Sequence, residues 1–442
     1  MARTEPARGM RDFLPEDVRR REYVIGIITR VYERYGYEPL ETPAVENLET
    51  LMGKYGDEGD QLIFKILKRG EHEATGQADL ALRYDLTVPL ARVIAHHQSK
   101  LPRLFKRYQI QPVWRADRPQ RGRFREFYQC DVDALGSTSP VIEAELCAAV
   151  ADALNELGFS DFVIRINHRQ LLTSVLTAAG LVEGQHSDAL IALDKLDKIG
   201  ADGVKNELAS RGIADEASRV LLEFFAREFT VLDVVSDYIR IDDAGSAALA
   251  NLQSIWSLAE ATSANGKLRF DPSLARGLSY YTGAIMEINV SDLAGSLGGG
   301  GRYDNLVGMF LGQSIPASGF SLGLERILVV MGERGMFPPS LATTPADVML
   351  AVFDAADMPH ALRVAGTLRD AGLRVLVYPE AEKMGKQIKY ADSRGIPFIG
   401  ILGGDEIAAG TLTVKDLANK VQHTYEQAAA GAAILEALKQ RG

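Results

Sequence analysis

Residues 104–136, LFKRYQIQPVWRADRPQRGRFREFYQCDVDALG, constrain the fold more than any other stretch. Polar and apolar positions alternate on both sides of a loop rich in Arg, Pro and Gly. The pattern predicts two antiparallel strands, Phe105–Arg115 and Arg123–Ala134, joined by an ordered hairpin loop at 117–122. Along the second strand Arg125, Phe127, Gln129, Asp131 and Asp133 share one face, and Glu126, Tyr128, Cys130 and Val132 share the other. Along the first, Arg107, Gln109, Gln111 and Arg115 lie opposite Tyr108, Ile110 and Trp114. Pairing sets the two polar strips side by side, with Arg115 at the hairpin end beside Arg123 or Arg125. Gln129 and Asp133 stand roughly 13 Å apart along the strand. That is about the span of an extended amino acid with a hydrogen bond at each end. Cations, amides and carboxylates make a poor core, so this face is either the floor of a polar ligand site or a solvated outer surface.

Charge narrows the choice. The chain carries a formal net charge of −10, which argues against indiscriminate nucleic-acid binding. Yet Lys100, Arg103, Lys106, Arg107, Arg115, Arg118, Arg121, Arg123 and Arg125 face a single acid, Asp117, over 26 residues of sequence. Such a segment is a solvated basic hairpin or a site for polyanions such as nucleotide phosphates or an RNA backbone. The 442 residues have ordinary globular composition and suffice for two or three domains. Two cysteines, Cys130 and Cys147, supply neither a structural zinc site nor a disulfide framework. With no apolar leader or membrane span in view, the expectation is a soluble cytoplasmic protein.

Pro15 in a first turn, Ile25, Ile28, Tyr32 and Tyr35 at helical spacing, and Gly36 as terminator predict a helix over 15–36. Extended chain follows from Tyr37 to Glu46, broken by Pro39 and Pro43, and Leu80–Tyr84 reads as a strand. Residues 140–158 and 168–180 read as helices, and 180–262 favour helix almost throughout, as a helical insertion would. Strand character returns at Ala284–Val290, before the glycine run Gly298–Gly301 and a helix starting near Gly323. The glycine run lacks the lysine and the strand-to-helix placement of a phosphate loop, so it predicts close backbone packing. Residues 336–345, with three prolines, read as a linker. Beyond it Val348–Phe353, Leu373–Tyr378, Ile396–Leu402 and Leu412–Val414 alternate with helical segments, which predicts a small α/β domain with a mainly parallel sheet over 346–442.

These strings carry a resemblance. Leu104–Gly136 resembles motif 2 of class II aminoacyl-tRNA synthetases, and Gly319–Arg326, GFSLGLER, resembles motif 3. Glu38–Glu46 is similar to the weaker motif 1, with its proline at Pro43. Arg276-Gly-Leu-Ser-Tyr-Tyr-Thr-Gly283 and Gly300-Gly-Arg-Tyr-Asp304 are similar to the two signatures peculiar to histidyl-tRNA synthetases. Gly9–Glu16 and Leu82–Pro89 fit the same family, and REFYQCD at 125–131 is similar to its eukaryotic-like branch. The resemblance spans nearly the whole chain. It implies an α+β fold, with an antiparallel six-stranded catalytic sheet and helices in a domain over 1–335. That domain carries a helical insertion at about 180–262, and an α/β anticodon-binding domain follows at 346–442.

The same resemblance implies roles. Arg115 and Arg276 would be catalytic: Arg115 at the α-phosphate and the histidine carboxylate, Arg276 beside the α-phosphate where related enzymes use a metal ion. Arg115, Arg123, Phe127, Glu325 and Arg326 would bind ATP, with Phe127 stacked on adenine and Arg326 at the γ-phosphate. Bidentate guanidinium groups suit phosphate and carboxylate better than lysine does. Asp85, Thr87, Gln129, Asp133, Arg276, Tyr280, Tyr281 and Tyr303 would bind histidine, with Asp85 and Gln129 at the α-amino group and Asp133, Tyr281 and Tyr303 around the imidazole. Arg121, Lys383, Lys386 and Lys389 would meet tRNA, the lysines flanking one helical face of the Gly385–Ala391 signature. ATP would arrive with Mg2+, without a prosthetic group or a protein metal site. The implied partners are histidine, histidine tRNA and a second copy in a homodimer, and neither membrane nor DNA. Ser279 departs from the family, which usually has Asp there, and Asp133 replaces a glutamate of many members.

The implied activity is joining histidine to ATP and then to tRNA. The rival from another class is a non-catalytic histidine sensor like the regulatory subunit of ATP phosphoribosyltransferase. Such paralogues typically lack the anticodon domain and lose motif arginines. A second rival is a class II synthetase for another amino acid.

Overall fold

The computed structural model describes residues 4–70, 75–193, 195–227, 232, 235–275, 280–338, 341 and 344–440. Two compact units make up the chain, the larger chiefly residues 20–337 and the smaller chiefly 338–442.

The larger unit is built on one sheet. Its strands are drawn from β1 (Glu38–Pro39), β5 (Phe105–Trp114), β6 (Glu126–Leu135), β7 (Val163–His168), β8 (Leu268–Phe270), β9 (Ala284–Asn289), β10 (Gly298–Arg302) and β11 (Ala317–Gly323). The order is β1-β5-β6-β11-β10-β9-β7-β8. The six middle strands are antiparallel throughout, and the short edge strands β1 and β8 join in parallel. The implied six-stranded antiparallel sheet is therefore the centre of an eight-stranded one. The outer two strands are too short, at two and three residues, to announce themselves by alternation. A separate three-stranded sheet comprises β2 (Val45–Asn47), β3 (Lys65–Leu67) and β4 (Ala78–Leu82), in the order β2-β4-β3.

One face of the large sheet is apolar and covered by helices. In the helix Pro15–Arg34, Pro15 has the fixed φ that suits a first turn, and Glu16 and Asp17 at the start and Arg34 at the end match the helix dipole. It buries Val24, Ile27, Ile28, Val31 and Tyr32, a stripe at helical spacing. Gly36, at φ +74°, turns the chain out of the helix, a conformation that costs glycine nothing. Cys130 and Val132 of β6 join this core with Val141–Glu156, Arg169–Ala178 and Leu324–Glu333. Within 180–262, the helices Glu183–Leu193, Leu196–Ser210 and Asp215–Phe225 pack in series, while Asp243–Glu260 packs on Val141–Glu156 and Arg169–Ala178.

β10 is the glycine run. A Cβ on Gly300 would lie 2.2 Å from the carbonyl oxygen of Gly319, and one on Gly301 would lie 2.6 Å from that of Ala284. Only glycine lets β10 sit this close between β9 and β11.

In the smaller unit β12 (Val348–Val352), β13 (Val375–Val377), β14 (Phe398–Leu402), β15 (Thr411–Asp416) and β16 (Gln422–Glu426) form a sheet ordered β13-β12-β14-β15-β16. β12 pairs in parallel with β13 and β14, but β14–β15 and β15–β16 are antiparallel. The sheet is thus mixed rather than mainly parallel, because the short 417–421 connection can join only antiparallel neighbours. The helix Gln427–Lys439 follows. Among the described residues no helix is long and apolar enough to cross a membrane.

Candidate active site

β6 delivers Gln129, Asp131 and Asp133 to the face away from the helix core. A cavity of about 90 Å³ opens over them, lined also by Asp85, Thr87, Arg115, Tyr280, Tyr281 and Tyr303. A larger cavity, about 450 Å³, lies at the Phe105–Leu135 end of the hairpin, away from these groups. Arg103 is the charged residue of its lining, so it lacks the convergent polar groups of a reaction site.

The deep end of the smaller cavity is fixed before any ligand arrives. Asp133 is buried, accepts a hydrogen bond from the Tyr303 hydroxyl and stands 2.8 Å from Nη2 of Arg107. It fits only because residue 319 is glycine: a Cβ there would meet Asp133 Oδ1 at 1.9 Å. Arg107 is fully buried; its Nη2 also donates to the Leu86 carbonyl at 3.4 Å, and its Nη1 donates along β5 to Gln109 Oε1 at 3.2 Å. Gln109 Nε2 donates onward to Gln111 Oε1 at 2.7 Å and to Thr42 Oγ1 at 2.9 Å. Arg83, also buried, donates to Gln111 Oε1 at 2.8 Å and closes the ladder. Burial pushes the Asp133 carboxyl up, and Arg107 and Tyr303 pull it back. Burial also holds the phenols of Tyr280 and Tyr303 well above their ordinary value, which keeps them neutral donors.

The other end is formed where the chain enters the helix Thr87–His97. Asp85 Oδ1 accepts from the Val88 amide and the Tyr55 hydroxyl, each at 3.0 Å. Burial raises its carboxyl, against the pull of those bonds and of Arg115. Arg115 Nε donates to the Tyr84 carbonyl at 3.0 Å, and its guanidinium lies over the Tyr84 and Phe127 rings at 4.3 and 5.2 Å. Gln129 Nε2 donates to Ser321 Oγ at 3.0 Å.

A family profile described as histidyl-tRNA synthetase matches residues 9–327, and one described as an anticodon-binding domain matches residues 347–437. The chain belongs to the histidyl-tRNA synthetase family. A histidine–tRNA ligase of Christiangramia forsetii is 41% identical, the match covering 95% of this chain and 96% of that one. Another, from Gloeobacter violaceus, is 40% identical over 98% of each. Among solved structures, histidyl-tRNA synthetase from Nostoc sp. PCC 7120 superposes with a TM-score of 0.82 at 33% identity, covering 99% of this chain and all of that one. A protein from Bacillus halodurans described as an ATP phosphoribosyltransferase regulatory subunit/histidyl-tRNA synthetase shares the fold, with a TM-score of 0.75 at 24% identity over 91% of this chain and 99% of that one. The anticodon-binding match at 347–437 is the feature that the sensor reading lacks, and it disfavours that rival.

The remaining candidates of the sequence lie elsewhere. Arg276 and Ser279 fall outside the described residues. Arg123 sits in the hairpin loop, half-exposed, with Nε and Nη2 bonded to the Asp117 carboxylate at 3.0 and 2.9 Å. Arg326, on the helix Leu324–Glu333, donates to the Ser296 carbonyl and packs beside Gly122 of that loop. Glu325 is buried and accepts from the Tyr128 amide at 2.9 Å, and burial pushes its carboxyl up to about 7. Arg121 is exposed and paired with Glu333. In the smaller unit Lys383 is the N-cap of the helix Met384–Ser393, one position ahead of the helix itself, which carries Lys386 and Lys389. Lys386 pairs with Glu382 at 2.6 Å. Gln387, between them, is buried and bonds both backbone groups of Val352, so part of the Gly385–Ala391 signature is structural.

Arg107 and Asp131 are the site groups that motif reading passed over. Strand alternation put both on the correct face, and the signal was their charge at positions flanked by core residues.

Proposed function

We propose that this chain activates histidine with ATP and then transfers it to the 3′ end of histidine tRNA. The observation that carries the reading is the Asp133–Tyr303 pair at the base of the cavity. A buried acceptor beside a neutral phenol can address the two nitrogens of an imidazole, and an apolar pocket cannot. Asp85 and Gln129 would take the α-ammonium, Thr87 would close that end, and Tyr280 and Tyr281 would wall the ring.

In the first step a carboxylate oxygen of histidine attacks the α-phosphorus of ATP. The bond from that phosphorus to the bridging oxygen breaks, and pyrophosphate leaves. In the second a hydroxyl of the terminal ribose of tRNA attacks the acyl carbon and AMP leaves. Charge develops on phosphate oxygens, so positioned cations matter more than a proton donor. Arg115 would serve there, joined by Arg276, with Arg123 and Arg326 on the outer phosphates, Glu325 orienting the nucleotide and Phe127 against adenine. Among the described residues no group of three or more His, Cys, Asp or Glu side chains is placed to hold a metal ion. Mg2+ would come with the ATP phosphates. Arg121 and the three lysines would meet tRNA, in a cytoplasmic homodimer.

The test is histidine-dependent exchange of labelled pyrophosphate into ATP, run against a panel of amino acids. Exchange with histidine alone, lost in Arg115→Ala and Arg276→Ala and retained in Ser279→Asp, is the expected result. Histidine binding without exchange, even with cognate tRNA, would favour the sensor reading, and exchange with another amino acid would favour the second rival.

A further inference from the structure

Asp131 stands between Gln129 and Asp133 on β6, 2% exposed, and lines the cavity. Its Oδ2 is 3.9 Å from Nη2 of Arg107, the guanidinium that also holds Asp133. Its Oδ1 is buried without a hydrogen-bond partner, and so is Oε1 of the neighbouring Gln129. Two adjacent orphaned acceptors are costly in an empty site and call for a ligand group made only of donors. Charge points the same way: Asp131 and Asp133 share one guanidinium, so one of the two carboxyl groups has no cation of its own until a ligand supplies it. The Ser321 hydroxyl, on β11 opposite Asp131, accepts from Gln129 Nε2 and so fixes the amide with Oε1 unpaired.

From this geometry we infer that Asp131 is a further substrate-recognition residue, which with Gln129 accepts hydrogen bonds from the α-ammonium of the bound amino acid. An ammonium supplies three donors and one positive charge, which matches both the orphaned oxygens and the carboxyl group without a cation of its own. Arg107 is then a positioning residue, holding both carboxylates from beneath. The inference rests on the histidine-activation reading and adds a contact that reading did not include.

The test is calorimetric titration of the full chain with histidine and with imidazolepropionate, which keeps ring and carboxylate and lacks the ammonium. Asp131→Asn should weaken histidine roughly 10- to 100-fold, as loss of one charged hydrogen bond does, and leave imidazolepropionate within about twofold. Should Asp131→Asn fail to fold, Asp131→Ser carries the same comparison with a smaller group. Equal weakening of both ligands, or of neither, would overturn the assignment. If the unmodified protein binds neither ligand and shows no histidine-dependent exchange, the activation reading itself falls, and the variants are not the cause.

Discussion

The floor of the cavity and the hairpin loop at 117–122 are built from the same residue types in opposite states. On the floor, Arg107, Asp131, Asp133 and Tyr303 are buried and held by one another. At the hairpin loop, Arg121 and Arg123 reach into solvent and are occupied by Glu333 and Asp117, and Arg326 beside it is held by the Ser296 carbonyl. A buried ion pair that loses one member leaves an uncompensated charge, whereas an exposed pair exchanges cheaply with water or another anion. The proposed amino-acid end is thus held by its own ion pairs, whereas the arginines proposed for ATP and tRNA are ones that phosphate can recruit by displacing Asp117, Glu333 and the Ser296 carbonyl.

The largest effect should come from taking the cation out of the floor. Arg107→Met leaves Asp131 and Asp133 facing each other, and denaturant unfolding should show a loss of about 3–5 kcal/mol. Arg115→Ala should leave stability nearly intact and lower the exchange rate by about 10²–10³, since the proposed reaction uses its charge at the reacting phosphate. A stability change comparable to that of Arg107→Met would mean that Arg115 also belongs to the floor.

A smaller effect concerns pH. Burial, partly offset by Arg107 and added to by Asp133, pushes the Asp131 carboxyl from 3.8 up to about 7. Between those values the empty folded protein holds a proton that the unfolded chain has released, so this group makes stability fall as pH rises from about 4 to 7. Subtracting the pH profile of Asp131→Asn from that of the parent should reveal a slope of at most about 1.4 kcal/mol per pH unit. A flat difference would place Asp131 in contact with water. Smallest of all, Asp117→Asn releases the half-exposed Arg123 from a buried carboxylate, and the KM for ATP should fall by no more than about fivefold. A large rise would show that Asp117 positions Arg123 for the nucleotide instead of competing for it.

Much of this contrast was legible in the sequence, and the illegible part has a physical reason. Period-two alternation in 104–136 assigned the correct face to every residue of β5 and β6 on which the site depends, and the glycine run announced the close approach of β10 to β9 and β11. What alternation cannot give is depth. It put Arg107 and Arg123 on one chain as equivalent cations, although one is fully buried and the other half-exposed. Ion pairing between Arg121 and Glu333 joins residues 212 apart in sequence, beyond any local pattern. β7 lay unread between two helices because VIRINH, although Ile164 and Ile166 alternate with Arg165 and Asn167, is short and half polar, and its pairing with β9 is what the local pattern does not show. The antiparallel half of the small sheet was missed for a similar reason, since β16, QHTYE, is polar and exposed.

The claim that the amino-acid floor stands ready before the nucleotide arrives is tested most directly by titrating the ligand-free protein with histidine in the absence of ATP. The account predicts saturable binding at one site per chain, weakened by Arg107→Met and unchanged within about twofold by Arg123→Ala. Histidine binding that appears only after ATP is added, or that depends on Arg123 as strongly as on Arg107, would contradict it.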